Sequence, residues 1–167
     1  MLGTLATTDD GRYALRFERR YAHPPEKVWR AITEAEHLRA WFPAVVDFDL
    51  RPGATLRFLP TAEQVRRYGM TEEQAATGEI TRVDPPHLLE YTWDTEVLRW
   101  ELTADGVGGC GLVFTNVFDD RAMAAPAAAG WHAGLEVVAA QLDGREIDWS
   151  SWERADALTG EYVGSID

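Results

Sequence analysis

Leu88-Leu89-Glu90-Tyr91-Thr92-Trp93 and, after a break of two residues, Glu96-Val97-Leu98-Arg99-Trp100-Glu101-Leu102-Thr103 form the stretch from which the fold is legible. Successive side chains of a strand point to opposite faces. Leu89, Tyr91 and Trp93 therefore oppose Leu88, Glu90 and Thr92, while Leu98, Trp100 and Leu102 oppose Arg99 and Glu101. One face is apolar and largely aromatic and the other is mixed, as expected of antiparallel strands with one side in a core.

The same pattern continues outward. Toward the N-terminus, Gly78 to Val83 reads as a strand ahead of Pro85-Pro86. Val46, Phe48 and Leu50 alternate with Asp47 and Asp49, Pro52-Gly53 turns the chain, and Leu56 and Phe58 alternate with Thr55 and Arg57, which predicts a hairpin. From Tyr13 to Tyr21, Tyr13, Leu15, Phe17 and Tyr21 share a face. Pro24-Pro25 stops that strand, and Pro25 suits the first turn of a short helix whose apolar face is Val28, Trp29 and Ile32. A second short helix is expected over Glu34 to Trp41. Toward the C-terminus, Gly106 to Gly109 turns the chain into a last strand with Leu112, Phe114, Asn116 and Phe118 on one face. From Pro126 to Leu142, Trp131, Leu135, Val138 and Leu142 recur at helical spacing, and Gly144 closes the helix. Ser150 with Glu153 reads as the capping box of a final short helix. The polar segment Pro60 to Thr77 is long for a link between strands, as lids and recognition loops are. The layout is α+β: a curved antiparallel sheet wrapped around one long helix, with two short helices after the first strand.

At 167 residues the chain is expected to form one continuous domain over 1–167, with a tail at 145–167. Its 28 acidic against 16 basic residues give a formal charge of −12, with no cluster of Lys or Arg. Nucleic acid and anionic membrane are excluded as partners, because both need clustered cations. No stretch approaches the roughly 18 apolar residues of a membrane span, and the first twelve residues lack a signal pattern. A single cysteine, Cys110, forms no intramolecular disulfide and no cysteine zinc site. The expected location is the cytoplasm.

Two segments go further. Ala22-His23-Pro24-Pro25-Glu26-Lys27-Val28-Trp29-Arg30-Ala31-Ile32-Thr33, followed by Glu36-His37-Leu38 and Trp41-Phe42, is one. Gly78-Glu79-Ile80, Val83-Asp84-Pro85-Pro86 and Leu89-Glu90-Tyr91-Thr92-Trp93 are the other. With Arg51-Pro52-Gly53 and Gly130-Trp131, and over about Tyr13 to Gly144, these resemble the family related to the C-terminal domain of the activator of Hsp90 ATPase. The resemblance implies the helix-grip fold of the START/Bet v 1-like (SRPBCC) superfamily. It also implies a range of functions: Hsp90 co-chaperone domains, lipid and polyketide binders, aromatase/cyclases, and proteins that sequester antibiotics in their producers. Fold does not choose among these. Many members carry a His in a Leu-Thr-His stretch of the last strand, where this chain has Phe114-Thr115-Asn116. Asn116 does not serve as a general base.

The candidate ligand-binding set is Arg19, Phe48, Phe58, Tyr91, Trp93, Trp100, Phe114, Asn116, Trp131 and Leu135. Aromatics at strand parity are ordinarily core, yet so many rings on one curved face would also stack against a planar ligand, oriented by Tyr91 OH and the Trp N–H groups. Arg19 shares the inward parity of Leu15 and Phe17 and would hold a ligand carboxylate or phenolate, unless the strand end lets it reach water. His23, His37, His87 and His132 are scattered without metal-ligand spacing, and no metal or cofactor is expected. There is no Ser-His-Asp order, P-loop or dinucleotide fingerprint.

The expected function is binding of a small, largely apolar or aromatic molecule between sheet and long helix, in the manner of natural-product sequestration or resistance. The alternatives are a polyketide cyclase- or hydrolase-like enzyme, with Tyr91, Arg19 or His132 handling protons, and a chaperone-interaction module with a protein partner. Either a monomer or a homodimer fits the sequence.

Overall fold

A computed structural model describes residues 1–166. Its frame is a seven-stranded sheet in which every neighbouring pair is antiparallel. The strands are β1 (Thr4–Thr7), β2 (Tyr13–Tyr21), β3 (Thr55–Phe58), β4 (Ala76–Asp84), β5 (Leu88–Trp93), β6 (Glu96–Ala104) and β7 (Cys110–Phe118), in the order β1-β2-β7-β6-β5-β4-β3. The alternation expected over β2, β5, β6 and β7 is seen directly: Leu15, Phe17, Leu89, Tyr91, Leu98, Trp100, Leu112 and Phe114 are all buried on one face.

Helices α1 (Pro25–Thr33) and α2 (Ala35–Leu38) follow β2, α3 (Ala62–Tyr68) lies between β3 and β4, and α4 (Ala124–Leu142) and α5 (Ser151–Ile166) end the described chain. Helix α4 is buried along most of its length, with Trp131, Leu135, Val138 and Leu142 among its buried residues. A helix that is apolar all round must be covered on both sides. The sheet grips one side, and α5 packs against α4 on the other, burying Leu158 and Tyr162. Gly134 permits a close approach on α4, since a Cβ there would stand only 3.2 Å from Cε3 of Trp41. The Trp41 indole is fixed in turn by its N–H, donated to the Ala31 carbonyl at 3.0 Å. Curved antiparallel sheet, long helix and two short helices after the first inner strand make this a helix-grip fold.

Three expectations are corrected, and one element is added. The hairpin over Val46–Phe58 is only half formed: Thr55–Phe58 is a strand, but it pairs with β4, and residues 46–50 form no strand, the bridge Val45–Leu59 lying just before them. Its turn is held from β4 instead, with the Gly53 N–H donated to the Ile80 carbonyl at 2.7 Å. The second short helix stops at Leu38, beyond which the N–H groups of Ala40 and Trp41 bond three residues back, to the His37 and Leu38 carbonyls, as in turns. The last helix is not short; α5 runs sixteen residues. Strand β1, which the sequence does not announce, extends the sheet beyond β2.

Candidate functional site

The inner face of the sheet carries the aromatic set, and the rings pack on one another. Trp100 stacks on Phe114 with centroids 3.9 Å apart, Phe58 stacks on Trp93 at 4.1 Å, and Phe48 meets Tyr91 at 4.9 Å. From the helix, Trp131 lies edge-on to Phe114 at 4.8 Å. Tyr91, Trp100, Phe114 and Leu135 are buried, while Phe48 and Trp93 are half-buried and lie toward the outside. Phe42 links the set, with its ring 5.7 Å from Trp93, 5.8 Å from Trp131 and 6.4 Å from both Phe48 and Phe58. In the sequence Phe42 stands out only as part of the family-like pair Trp41-Phe42. Its position just before Pro43 was the available signal.

Polar groups are few and ordered. The Trp100 N–H is donated to Tyr91 OH at 3.1 Å, and burial raises the Tyr91 phenol well above its ordinary range. At the open end, the Trp131 N–H is donated to Asn116 Oδ1 at 3.1 Å. An indole N–H only donates, so it fixes which way the Asn116 amide faces. The Asn116 nitrogen is thereby turned to the Val97 carbonyl at 3.4 Å and to Glu96 Oε1 at 3.3 Å. Glu96 is half-buried, and burial is the main cause that lifts its carboxyl above the ordinary value, with Asp94 adding to it. Sequence reading overlooked Glu96, although it shares the inward parity of Leu98, Trp100 and Leu102.

The structure places Arg19 apart from this end. Its guanidinium lies over the Phe17 ring at 5.6 Å and donates to the Glu18 carbonyl at 2.8 Å. His132 is buried on α4 and engaged with α5: its Nδ1 is 2.7 Å from Tyr162 OH and its Nε2 is 3.3 Å from Glu136. Tyr91, Arg19 and His132 are therefore not brought together as one proton-handling group. Burial pushes the Cys110 thiol up to about 11, away from nucleophilic use. Two hollows in the surface lie elsewhere, one around His87, Leu88, Arg99 and Glu101 and one between Ala125 and Val163.

Sheet, gripping helix and aromatic inner face define a helix-grip protein of α+β class. The model of the family described as Activator of Hsp90 ATPase homolog 1-like protein matches residues 22–145, and the chain belongs to that family. Among solved structures, the protein of unknown function EF2215 from Enterococcus faecalis is similar, with a TM-score of 0.75 at 19% identity over 98% of this chain and 89% of that one. CalU16 from Micromonospora echinospora gives 0.68 at 20% identity, over 97% and 94%. The protein encoded by gene BPP1335 from Bordetella parapertussis gives 0.70 at 28% identity, over 90% and 84%. No curated protein matches the chain. Among the described residues no helix is long and apolar enough to cross a membrane, and no group of His, Cys, Asp and Glu is placed to hold a metal ion.

Proposed function

We propose that the protein binds a small, largely apolar or aromatic molecule between its sheet and α4, at the end bounded by Phe48, Phe58, Trp93, Asn116 and Trp131. One observation carries this reading. Among the described residues, no backbone N–H of residues 46–50 donates a hydrogen bond, yet this segment holds Phe48 against Phe42 and Tyr91. Segments with few backbone hydrogen bonds open at low cost. Phe48 is therefore a displaceable plug over a surface of rings, and its departure exposes Tyr91, Phe58 and Phe42 to an incoming ring. Membership of the family supports ligand binding as the general mode, and natural-product sequestration is the form of it that this surface suits.

The probe for this reading is neutral 2-naphthylmethanol, followed through the indole N–H signals in a nuclear magnetic resonance titration of the whole chain. Trp93 and Trp131 are expected to shift, with Trp149 and Trp152, both beyond α4, unmoved. Unmoved Trp93 and Trp131 signals, or equal movement of all four, would overturn it.

A further inference from the structure

Glu96 is the carboxylate of the inner face, and its surroundings differ from those of the other half-buried acids. Glu90 faces Arg99 at 3.2 Å, and Glu136 takes two bonds from Arg154 at 2.8 Å. Glu96 has no cation within ion-pair distance among the described residues. Arg12, whose charge reaches Glu96, is committed elsewhere, donating to Asp119 at 2.7 Å and to the Thr95 carbonyl at 2.6 Å. Glu96 is paired directly across the strands with Trp93, so both side chains stand on the same inward face within contact range. Its Oε1 is held by Asn116, which Trp131 holds in turn. Its Oε2 receives no hydrogen bond from the described residues, and it is not sealed from solvent.

A carboxylate fixed at one oxygen, free at the other and standing directly across the strands from Trp93 has the chemistry of a receptor for an ammonium group. The free oxygen accepts a charge-assisted N–H bond, and the Trp93 ring across the strands offers apolar surface to the body that carries the cation. The acidic balance of the whole chain, 28 to 16, draws cations toward the surface. Resting on the proposed binding site, we infer that its ligand carries a protonated amine beside an aromatic or apolar body, with Glu96 as the residue that selects it. Neutral and anionic molecules of the same shape are discriminated against, the anions by direct repulsion.

The test compares 2-naphthylmethylamine with 2-naphthylmethanol, which share a shape and differ in charge. Affinities are measured by calorimetry on the wild-type chain and on Glu96→Gln, which keeps an oxygen for Asn116 and removes the charge. The wild type is expected to bind the amine about tenfold tighter than the alcohol, the scale of one charge-assisted hydrogen bond. Glu96→Gln is expected to abolish the preference, and unshifted indole N–H signals of Trp149 and Trp152 in the free variant report that it is folded. Equal binding of the two probes by the wild type, or a preference that survives Glu96→Gln, overturns the role of Glu96 and leaves the binding site standing. Failure of both probes to move the Trp93 and Trp131 signals overturns both readings.

Discussion

Gly78 shows how a single residue of the family signature is dictated by packing. A Cβ at this position would lie 1.9 Å from the carbonyl oxygen of Thr92 and 2.8 Å from its carbon, and both are backbone atoms of β5 that cannot swing aside. The crowding sits beside the irregularity in the β4–β5 register between Ile80 and Arg82. Gly78→Ala is therefore expected to cost at least about 2 kcal/mol, the upper range for forcing atoms into a packed site. Gly160, inside α5 with nothing within 4 Å of a Cβ, is the control. There the same change is expected to add about 0.5–1 kcal/mol by removing glycine's entropy cost in a helix. Urea midpoints of the two variants check both signs, and a neutral Gly78→Ala would show that β5 yields. At this scale the sequence was informative where parity alone decides position: Tyr91, Trp100 and Phe114 are buried as their alternation requires. It was silent about Glu96, because a charged residue at the first position of a strand reads as an ordinary end residue until the cross-strand partner is known. Arg19 obeyed parity in its backbone, while its long side chain turned back over Phe17.

The elements that local pattern predicted best are those whose partners are their immediate neighbours in sequence. β5 and β6 are joined by a tight turn and keep the same register throughout. The failures have a common cause in tertiary contacts. Residues 46–50 alternate as a strand should, yet β3 pairs only with β4 and its outer edge forms no ladder with them, so Phe48 packs inward without a strand around it. Helix α5 contains Thr159, Gly160 and Gly164, poor helix formers that masked its length. Burial of Leu158 and Tyr162 against α4 overrides that propensity. The insert α3 is a different case, a helix with a complete capping box between Thr61 and Gln64 and no buried residue. Its ties to the rest are few. The Gln64 amide is donated to the Pro43 carbonyl at 2.8 Å, Tyr68 meets Trp152 at 6.1 Å, and Arg67 lies over Trp152 at 5.2 Å. Trp152 thus fastens α3 to α5. Trp152→Ala is expected to speed amide exchange across residues 62–68 by about tenfold, the loss of a contact worth roughly 1–1.5 kcal/mol. Exchange in α4 is expected to stay as it is. Equal acceleration in α4 would mean that Trp152 supports the whole C-terminal half, while unchanged exchange in 62–68 would mean that Gln64 alone holds the insert.

Over the whole molecule, the buried His132 and the half-buried Glu96 tie stability to pH in opposite directions. His132 lies between α4 and α5, facing Glu136 and the Tyr162 hydroxyl, with Arg19 and Arg154 near enough to act on it. Tyr162 OH accepts the Gly3 N–H at 2.9 Å, and Nδ1 is left as the acceptor for its proton, so the network fits neutral His132 with hydrogen on Nε2. Burial, then Arg19, lowers the pKa of His132 from its ordinary 6.5. The unfolded chain therefore takes up the proton first, and this contribution to stability is present above 6.5 and lost as the pH falls through the lowered value. Glu136, lowered chiefly by its bonds from Arg154, adds a loss of the same sign further into acid. Glu96 works the other way: its raised value means that the charged form weakens the fold at neutral pH and that protonation relieves it. The wild-type urea midpoint is expected to fall between about pH 7.5 and about pH 5.5, and to fall less in His132→Gln. Glu96→Gln is expected to be more stable than the wild type at neutral pH, with the difference closing as the pH drops through the raised value of Glu96. A carboxylate that weakens its own fold at neutral pH is what a binding site requires when the compensating cation arrives with the ligand. Were Glu96→Gln less stable than the wild type at neutral pH, Glu96 would be supporting the hairpin at Asp94-Thr95, and the case for an ammonium ligand would lose its energetic basis.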